Sequence, residues 1–207
     1  MPAVVVSLII TTATCTSISE LPAAATVTAT DNCGIASVIM SETTTAGNCP
    51  GNYTITRTWT ATDQCGNTSS ASQTISVSDN TAPILVGVPA KTTATCTSIS
   101  ELPVANVTAT DNCGTATVVM SETTTAGNCP GNYTITRTWT ATDQCGNTSS
   151  ASQTISVTDN TAPVLVGVPS NTSATCTSVP SAATVTATDN CGTPTNIGAV
   201  LSVTLIV

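Results

Sequence analysis

The sequence predicts an all-β chain of tandem β-sandwich repeats stapled by disulfides, and three observations carry that prediction. Threonine fills nearly a quarter of the positions and alternates with apolar residues, a pattern that suits pleated strands with one face outward. Ten cysteines occur in 207 residues, far more than an ordinary globular chain carries. Those cysteines also recur at a fixed period of about eighty residues, which is the mark of internal duplication.

The duplication sets the domain count. Cys15, Cys33, Cys49 and Cys65 return as Cys96, Cys113, Cys129 and Cys145, and the first two return again as Cys176 and Cys191. The segment 38–77 matches 118–157 with a single change, Ile39 to Val119. The punctuation Asp79-Asn80-Thr81-Ala82-Pro83 recurs as Asp159-Asn160-Thr161-Ala162-Pro163, and a turn signal of this kind marks a junction. The expected domains are therefore residues 1–80 and 81–160, followed by a partial third repeat over 161–207.

Within a repeat the elements follow from period and punctuation. Thr26–Thr30 and Thr74–Val77 alternate with period two. The clearest strand is Tyr53 to Ala61, where Tyr53, Ile55, Arg57, Trp59 and Ala61 share one face and four threonines the other. Turn clusters follow at Asp31–Gly34, Asn48–Gly51 and Asp63–Asn67. Short strands at this spacing predict a Greek-key sandwich of about seven strands. With two Trp, two Tyr and no Phe, the cores are small and need staples.

Composition excludes several functions. The net charge is −8, and Arg57, Lys91 and Arg137 are the basic residues. Neutralising nucleic-acid phosphates takes clustered Lys and Arg, so no nucleic-acid partner is expected. Anionic membranes are excluded on the same ground, and no membrane insertion is expected. A cysteine framework of this density implies an oxidising, extracellular setting. The apolar start, 1–10, lacks a basic stretch and a cleavage site, so the chain is expected to be a mature form or a piece of something longer.

The run Tyr-Thr-Ile-Thr-Arg-Thr-Trp-Thr-Ala-Thr-Asp-Gln-Cys-Gly-Asn at 53–67, with Ala-Thr-Asp-Asn-Cys-Gly at 29–34 and the closing Asp-Asn-Thr-Ala-Pro, resembles the hyalin-type (HYR) repeat. It is most similar to the four-cysteine variety of bacterial extracellular surface proteins. The resemblance covers nearly the whole chain. It implies an immunoglobulin-like sandwich used in extracellular adhesion or as a stalk, and no enzymatic activity.

Four cysteines per repeat allow three pairings. A continuous strand between Cys49 and Cys65 separates them by about 50 Å, whereas a disulfide needs Cα atoms within about 7 Å. Cys49–Cys65 is therefore excluded, and Cys15–Cys33 with it, and two connectivities survive. In an immunoglobulin-like order Cys33 and Cys65 share one pole and Cys15 and Cys49 the other. The favoured pairs are Cys33–Cys65 and Cys15–Cys49, repeated as Cys113–Cys145 and Cys96–Cys129. Each would close a loop worth on the order of 3 kcal/mol. Cys176 and Cys191 remain unassigned: they bond to each other, find partners on a neighbouring molecule, or belong to an incomplete chain.

No catalytic residue is expected. Without histidine there is no Ser-His or Cys-His pair and no histidine metal site. Each complete repeat carries one Arg and a Glu fifteen residues earlier, Glu42 with Arg57 and Glu122 with Arg137, and a partly buried cross-strand ion pair is expected for each. No cofactor is expected. Calcium is weighed as an alternative, through Asp31, Asp63 and Asp79 near the poles, against the commoner use of such Asp residues in capping turn amides. Six Asn-x-Ser/Thr sequons, at Asn52, Asn67, Asn106, Asn132, Asn147 and Asn171, are possible sites of covalent glycans.

Both ends are more apolar than the repeat template. Ala3–Ile10 replaces a stretch that in repeat two contains Gly, Pro and Lys, and Gly198–Val207 replaces a polar one. Such strands need cover. The expected function is an extracellular structural protein, a subunit of a fibre or stalk assembled from copies of itself, head to tail, by strand complementation. The alternative is a cell-surface adhesion module that binds a glycan or protein ligand.

Overall fold

The computed structural model describes residues 3–4, 11–15, 24, 26–175, 177–192 and 194. Among them the chain is all-β, with a short 3-10 turn at Ile99–Glu101. The first repeat contains β1 (Ala3–Val4), β2 (Thr11–Thr14), β3 (Ala29–Thr30), β4 (Ser37–Ala46), β5 (Tyr53–Thr62) and β6 (Thr68–Ser78). The second contains β7 (Ile84–Val86), β8 (Thr92–Thr95), β9 (Thr108–Thr110), β10 (Ala116–Ala126), β11 (Tyr133–Asp143) and β12 (Thr148–Thr158). Two further strands, β13 (Val164–Val166) and β14 (Thr186–Thr188), belong to the third.

Each complete repeat pairs a four-stranded sheet with a two-stranded one, as tandem immunoglobulin-like sandwiches. The first has the order β2-β6-β5-β4 facing the antiparallel pair β1-β3. β2 runs parallel to β6, which is possible because the long excursion through β3–β5 intervenes. The second repeat repeats the plan as β10-β11-β12-β8 with β7-β9. Six strands are thus described per repeat rather than about seven. The stretch between β8 and β9 contains the 3-10 turn and Pro103, which lacks an amide hydrogen for a ladder.

The alternation in β5 is what builds the core. Ile55, Arg57, Trp59 and Ala61 are buried while the intervening threonines stay partly exposed. Ile75 and Val77 of β6 complete this core. In repeat two Ile135, Trp139, Ala141, Ile155 and Val157 are buried likewise, and Ile135, Ile155 and Val157 cluster with Ala94. Burying each large aliphatic or aromatic side chain stabilises the fold by about 1.5–3 kcal/mol. Within the core face, Arg57 Nε donates to Glu42 Oε2 at 2.8 Å, and Arg137 Nε to Glu122 Oε2 at 2.8 Å. The register sets Glu42 directly opposite Arg57 on β4, so both expected ion pairs form.

By internal contacts the chain divides into two compact units. One comprises Met1–Val88, Asn106–Met120 and Trp139–Ala151; the other Pro89–Ala105, Ser121–Thr138 and Ser152–Val207. The division does not follow the sequence period: the leading pole of repeat two clusters with repeat one. Of the two apolar ends, only Ala3 and Val4 fall among the described residues, so the expectations for 5–10 and 198–207 lie outside them.

Candidate functional site

The site with the densest chemistry lies in the first unit, where repeat one meets the leading loops of repeat two. Its frame is the linker 79–83, held by side chains rather than by a ladder. The Asp79 amide donates to Asn52 Oδ1 at 2.7 Å, and the Thr81 amide to Asp79 Oδ1 at 3.1 Å. From repeat two, Asn147 Nδ2 donates to the Asp79 carbonyl at 3.2 Å, and Ser149 Oγ to the Pro83 carbonyl. Gly51 lets these parts close. A Cβ there would stand 2.5 Å from the Asp79 Cβ, closer than real Cβ contacts allow, and a tight 3.2 Å from the Cys113 Cβ.

Two disulfides lock this pole. Cys15 bonds to Cys113, with Cα atoms 6.0 Å apart, and Cys49 to Cys145, with Cα atoms 5.2 Å apart. In the second unit Cys96 bonds to Cys191, with Cα atoms 5.8 Å apart. The structure therefore corrects the favoured pairing. Cys33–Cys65, Cys15–Cys49, Cys113–Cys145 and Cys96–Cys129 are all replaced by bonds between successive repeats, or left open. Cys33, Cys65 and Cys129 are exposed thiols; Cys191 has found a partner, and Cys176 lies outside the described residues.

The physical reason is that the poles were assigned correctly and the partners were not. The loops bearing Cys33 and Cys65 do lie together: a Cβ on Gly34 would sit 3.5 Å from Gln64 Oε1. The equivalent pole of repeat two, with Cys113 and Cys145, meets the Cys15/Cys49 pole of repeat one, and the bonds form across that junction. Loops closed over 96 to 98 residues restrict the unfolded chain more than loops of thirty, the first bond contributing about 4.7 kcal/mol in all in the chain-entropy model.

Three carboxylates converge at the same place. Single oxygens of Asp79, Asp111 and Asp143 all lie within 4.8 Å of one another. Asp79 and Asp143 are buried, at 4% and 8% exposure, and Asp111 Oδ1 is wholly enclosed without a hydrogen-bond partner. Burial pushes the Asp143 carboxyl up, but donors outweigh it: the Asn147 side-chain amide and the backbone amides of Asn147, Cys145 and Gly146 hold it below the usual range. Carboxylate oxygens are the kind of ligand that a divalent cation such as Ca²⁺ takes, in sets of six to eight. Asp31 and Asp63 do not join Asp79; their repeat-two counterparts Asp111 and Asp143 do. In repeat one Asp31 and Asp63 cap turn amides, Asp31 through Cys33 and Asp63 through Cys65 and Asn67.

The sequons sort by geometry. Asn52, Asn67, Asn132 and Asn147 each commit the side-chain Nδ2 as a donor, to Asn48, Asp63, Asn128 and Asp143 respectively. A glycan on that nitrogen would break those bonds. Asn106 and Asn171 are exposed.

The family is decided by two adjacent matches to the model of the HYR-like domain with 4 cysteines, over residues 9–77 and 86–157. The chain belongs to this family. Those matches put one HYR-like domain on each complete repeat, with all eight of their cysteines inside the matched ranges. Among curated proteins none matches the chain. Two solved structures are similar at low level. Drosophila N-cadherin EC1-4 has 12% identity and a TM-score of 0.34, over 76% of this chain and 49% of that one. Protocadherin gammaB7 EC3-6, a cis-dimer structure, has 16% identity and a TM-score of 0.29, over 79% and 49%. The chain spans about half the length of each. HYR-like membership and the disulfides fit an extracellular repeat module, and no helix among the described residues is long and apolar enough to cross a membrane.

Proposed function

We propose that this HYR-like chain is a non-catalytic structural element of the extracellular surface, a segment of a stalk or fibre that extends head to tail by strand complementation between copies. The observation that carries the reading is the pair of bonds Cys15–Cys113 and Cys49–Cys145. Staples within a domain stabilise that domain alone. Staples between domains convert a string of sandwiches into a rod whose joints resist bending and pulling. Residues 1–80, 81–160 and 161–207 are its repeating parts, the last completed by a neighbouring copy.

Two additions belong to the same reading. Ca²⁺ at Asp79, Asp111 and Asp143 would tighten the joint that the disulfides close, because one dication offsets the mutual repulsion of three enclosed carboxylates. Glycans would be carried at Asn106 and Asn171, where the amide is exposed and no hydrogen bond has to be broken.

Electron microscopy of native material tests the function. Fibres or rigid rods are expected, becoming flexible or fragmented under a thiol reductant, and flexible beads under oxidising conditions would refute the stalk. An adhesive role is favoured by one observation: Ile39 and Val119 are 71% and 68% exposed at equivalent places on the edge strands β4 and β10. Binding of a defined glycan or protein, lost in Ile39→Ser with Val119→Ser, would establish that role instead.

A further inference from the structure

Each four-stranded sheet ends in a long bare edge. β4 closes the order β2-β6-β5-β4, and β10 stands at the edge of β10-β11-β12-β8. β4 pairs with β5 over ten successive residues, Ser37↔Thr62 to Ala46↔Tyr53, without a bulge. On its other side every second residue turns its N–H and C=O away from the sheet, and among the described residues no strand meets them. Such an edge is a template for any extended chain, and proteins blunt it with Lys, Pro, a bulge or another charge. Residues 37–46 contain neither Lys nor Pro, and the charge of Glu42 is neutralised by Arg57 at 2.8 Å. β10 has the same sequence from 118 to 126, with Val119 in place of Ile39.

Along both edges runs Ser-Glu-Thr-Thr-Thr-Ala, at 41–46 and 121–126, and every residue of both runs is exposed. The threonines of the central strand are different. Thr54, Thr56, Thr58 and Thr60 are half-buried, and Thr58 Oγ1 lies 3.0 Å from Ser72 Oγ. Thr43, Thr44 and Thr45 make no side-chain hydrogen bond among the described residues. Thr43 and Thr45 stand opposite Thr56 and Thr54 on the outer face, and Thr44 opposite Ile55 on the core face. The edge therefore presents free hydroxyls on both faces of the sheet. The surface also needs hydration from a source other than charge, because charged residues make up 7% of the chain, against about 25% in an ordinary globular domain.

We propose that Thr43, Thr44 and Thr45, with Thr123, Thr124 and Thr125 in repeat two, are acceptors of O-linked glycans that cover the two bare edges. A glycan there breaks no side-chain hydrogen bond, and a bulky hydrated group on both faces keeps a second strand from lying along the edge. The same bare edge lets a glycosyltransferase hold the acceptor as an added strand through main-chain hydrogen bonds, so the sandwich need not open. In the transfer step, threonine Oγ1 attacks the anomeric carbon of a glycosyl phosphate donor. The new C–O bond forms as the bond to the phosphate breaks. The phosphate departs with the electron pair, and a base of the transferase takes the hydroxyl proton. The inference needs neither the stalk reading nor the sequons at Asn106 and Asn171, so it can fail without them.

The test uses native material freed of N-linked glycans by a peptide N-glycosidase, and the three basic residues make the map simple. After reduction, trypsin cutting behind Arg57, Lys91 and Arg137 yields 1–57 and 92–137, each with one acceptor run, and 58–91 and 138–207 with none. Whole-sugar mass steps are expected on 1–57 and 92–137 alone. Electron-transfer fragmentation should place them at the six threonines, and alkaline β-elimination should remove them. Thr43→Ala, Thr44→Ala and Thr45→Ala, combined with the same changes at 123–125 in the producing organism, should abolish the sugar. That variant should also scatter light at concentrations where the parent stays clear, as its edges pair. Peptides 1–57 and 92–137 at the masses of the bare sequence would overturn the proposal. So would sugar on one run alone, on the central-strand threonines or on all four peptides alike, and so would a variant that keeps its sugar. A sugar-free variant as soluble as the parent would overturn the covering role.

Discussion

Repeats one and two are nearly a controlled comparison, because 38–77 and 118–157 differ at one residue while their surroundings differ at the trailing pole. The cores do not register the difference. Trp59 and Trp139 are both 2% exposed, Ile75 and Ile155 both 0%, and the Glu–Arg pairs have the same length. The poles register it fully. Cys49 is bonded and buried where Cys129 is free, and Pro83 is buried where Pro163 is exposed. Local sequence therefore fixes each sandwich, and the neighbour fixes each pole.

The largest effect should come from erasing what makes the first pole special. Cys15→Ala combined with Cys49→Ala removes both junction bonds and should cost at least about 4–5 kcal/mol of stability. Denaturant unfolding should then split from one transition into two, because the repeats lose their covalent coupling. Retention of a single transition at unchanged midpoint would mean that the linker hydrogen bonds at Asp79 and Pro83 hold the joint unaided.

Next in size is a pair of substitutions that should not distinguish the repeats. Trp59→Ala and Trp139→Ala each empty a closed core, at about 3–5 kcal/mol, and chemical denaturation should place the two costs within about 1 kcal/mol of each other. A larger gap would show that the junction reaches into the core of repeat one.

These contrasts also show what was legible in the sequence. The alternation of Ile55, Arg57, Trp59 and Ala61 gave the buried face of β5, and the fifteen-residue spacing of Glu42 and Arg57 matched a cross-strand register. The two-pole arrangement of the cysteines was legible as well. The partner was not, for a reason particular to repeats. The bonds join Cys15 to a residue of the Cys33 class and Cys49 to one of the Cys65 class, the two class pairs that strand length excludes within one repeat and that a successive repeat supplies. Only the spatial meeting of poles decides it. The acidic group is hidden for the same reason: Asp111 and Asp143, which meet Asp79, belong to the next repeat. The bond from Cys191 to Cys96 follows the same rule, a residue of the Cys33 class reaching one of the Cys15 class in the repeat before it.

A smaller effect separates the poles by ligand. Extracellular calcium modules bind with Kd of about 10⁻⁴–10⁻³ M, so 10 mM Ca²⁺ at the weaker limit should add about 1.4 kcal/mol through Asp79, Asp111 and Asp143. Calorimetry with and without chelator reads it, and Asp111→Asn should remove it while Asp31→Asn leaves it. No calcium response in the parent chain would leave the disulfides as the only staple.

The smallest effect is acid sensitivity of the two identical turns. Asp63 is held below its usual range chiefly by the Asn67 side-chain amide, and Asp143 is lowered by its donors against the opposing pull of burial. A carboxylate whose folded pKa is depressed contributes stability that is present above its unfolded value, near 3.8. That contribution is lost as the pH falls through the folded value. Both turns should therefore loosen as the pH drops below about 4, seen as faster exchange of the Cys65 and Cys145 amides. They should not loosen with equal consequence. The Asp63 turn faces solvent, so its loss is local. The Asp143 turn also holds Asn147, whose amide reaches the Asp79 carbonyl, so its protonation slackens the junction as well. Asp143→Asn should accordingly lower the melting temperature at pH 7 and flatten its fall towards acid, whereas Asp63→Asn should change either by less. Equal effects of the two substitutions would show that the junction draws nothing from this turn beyond its cysteine.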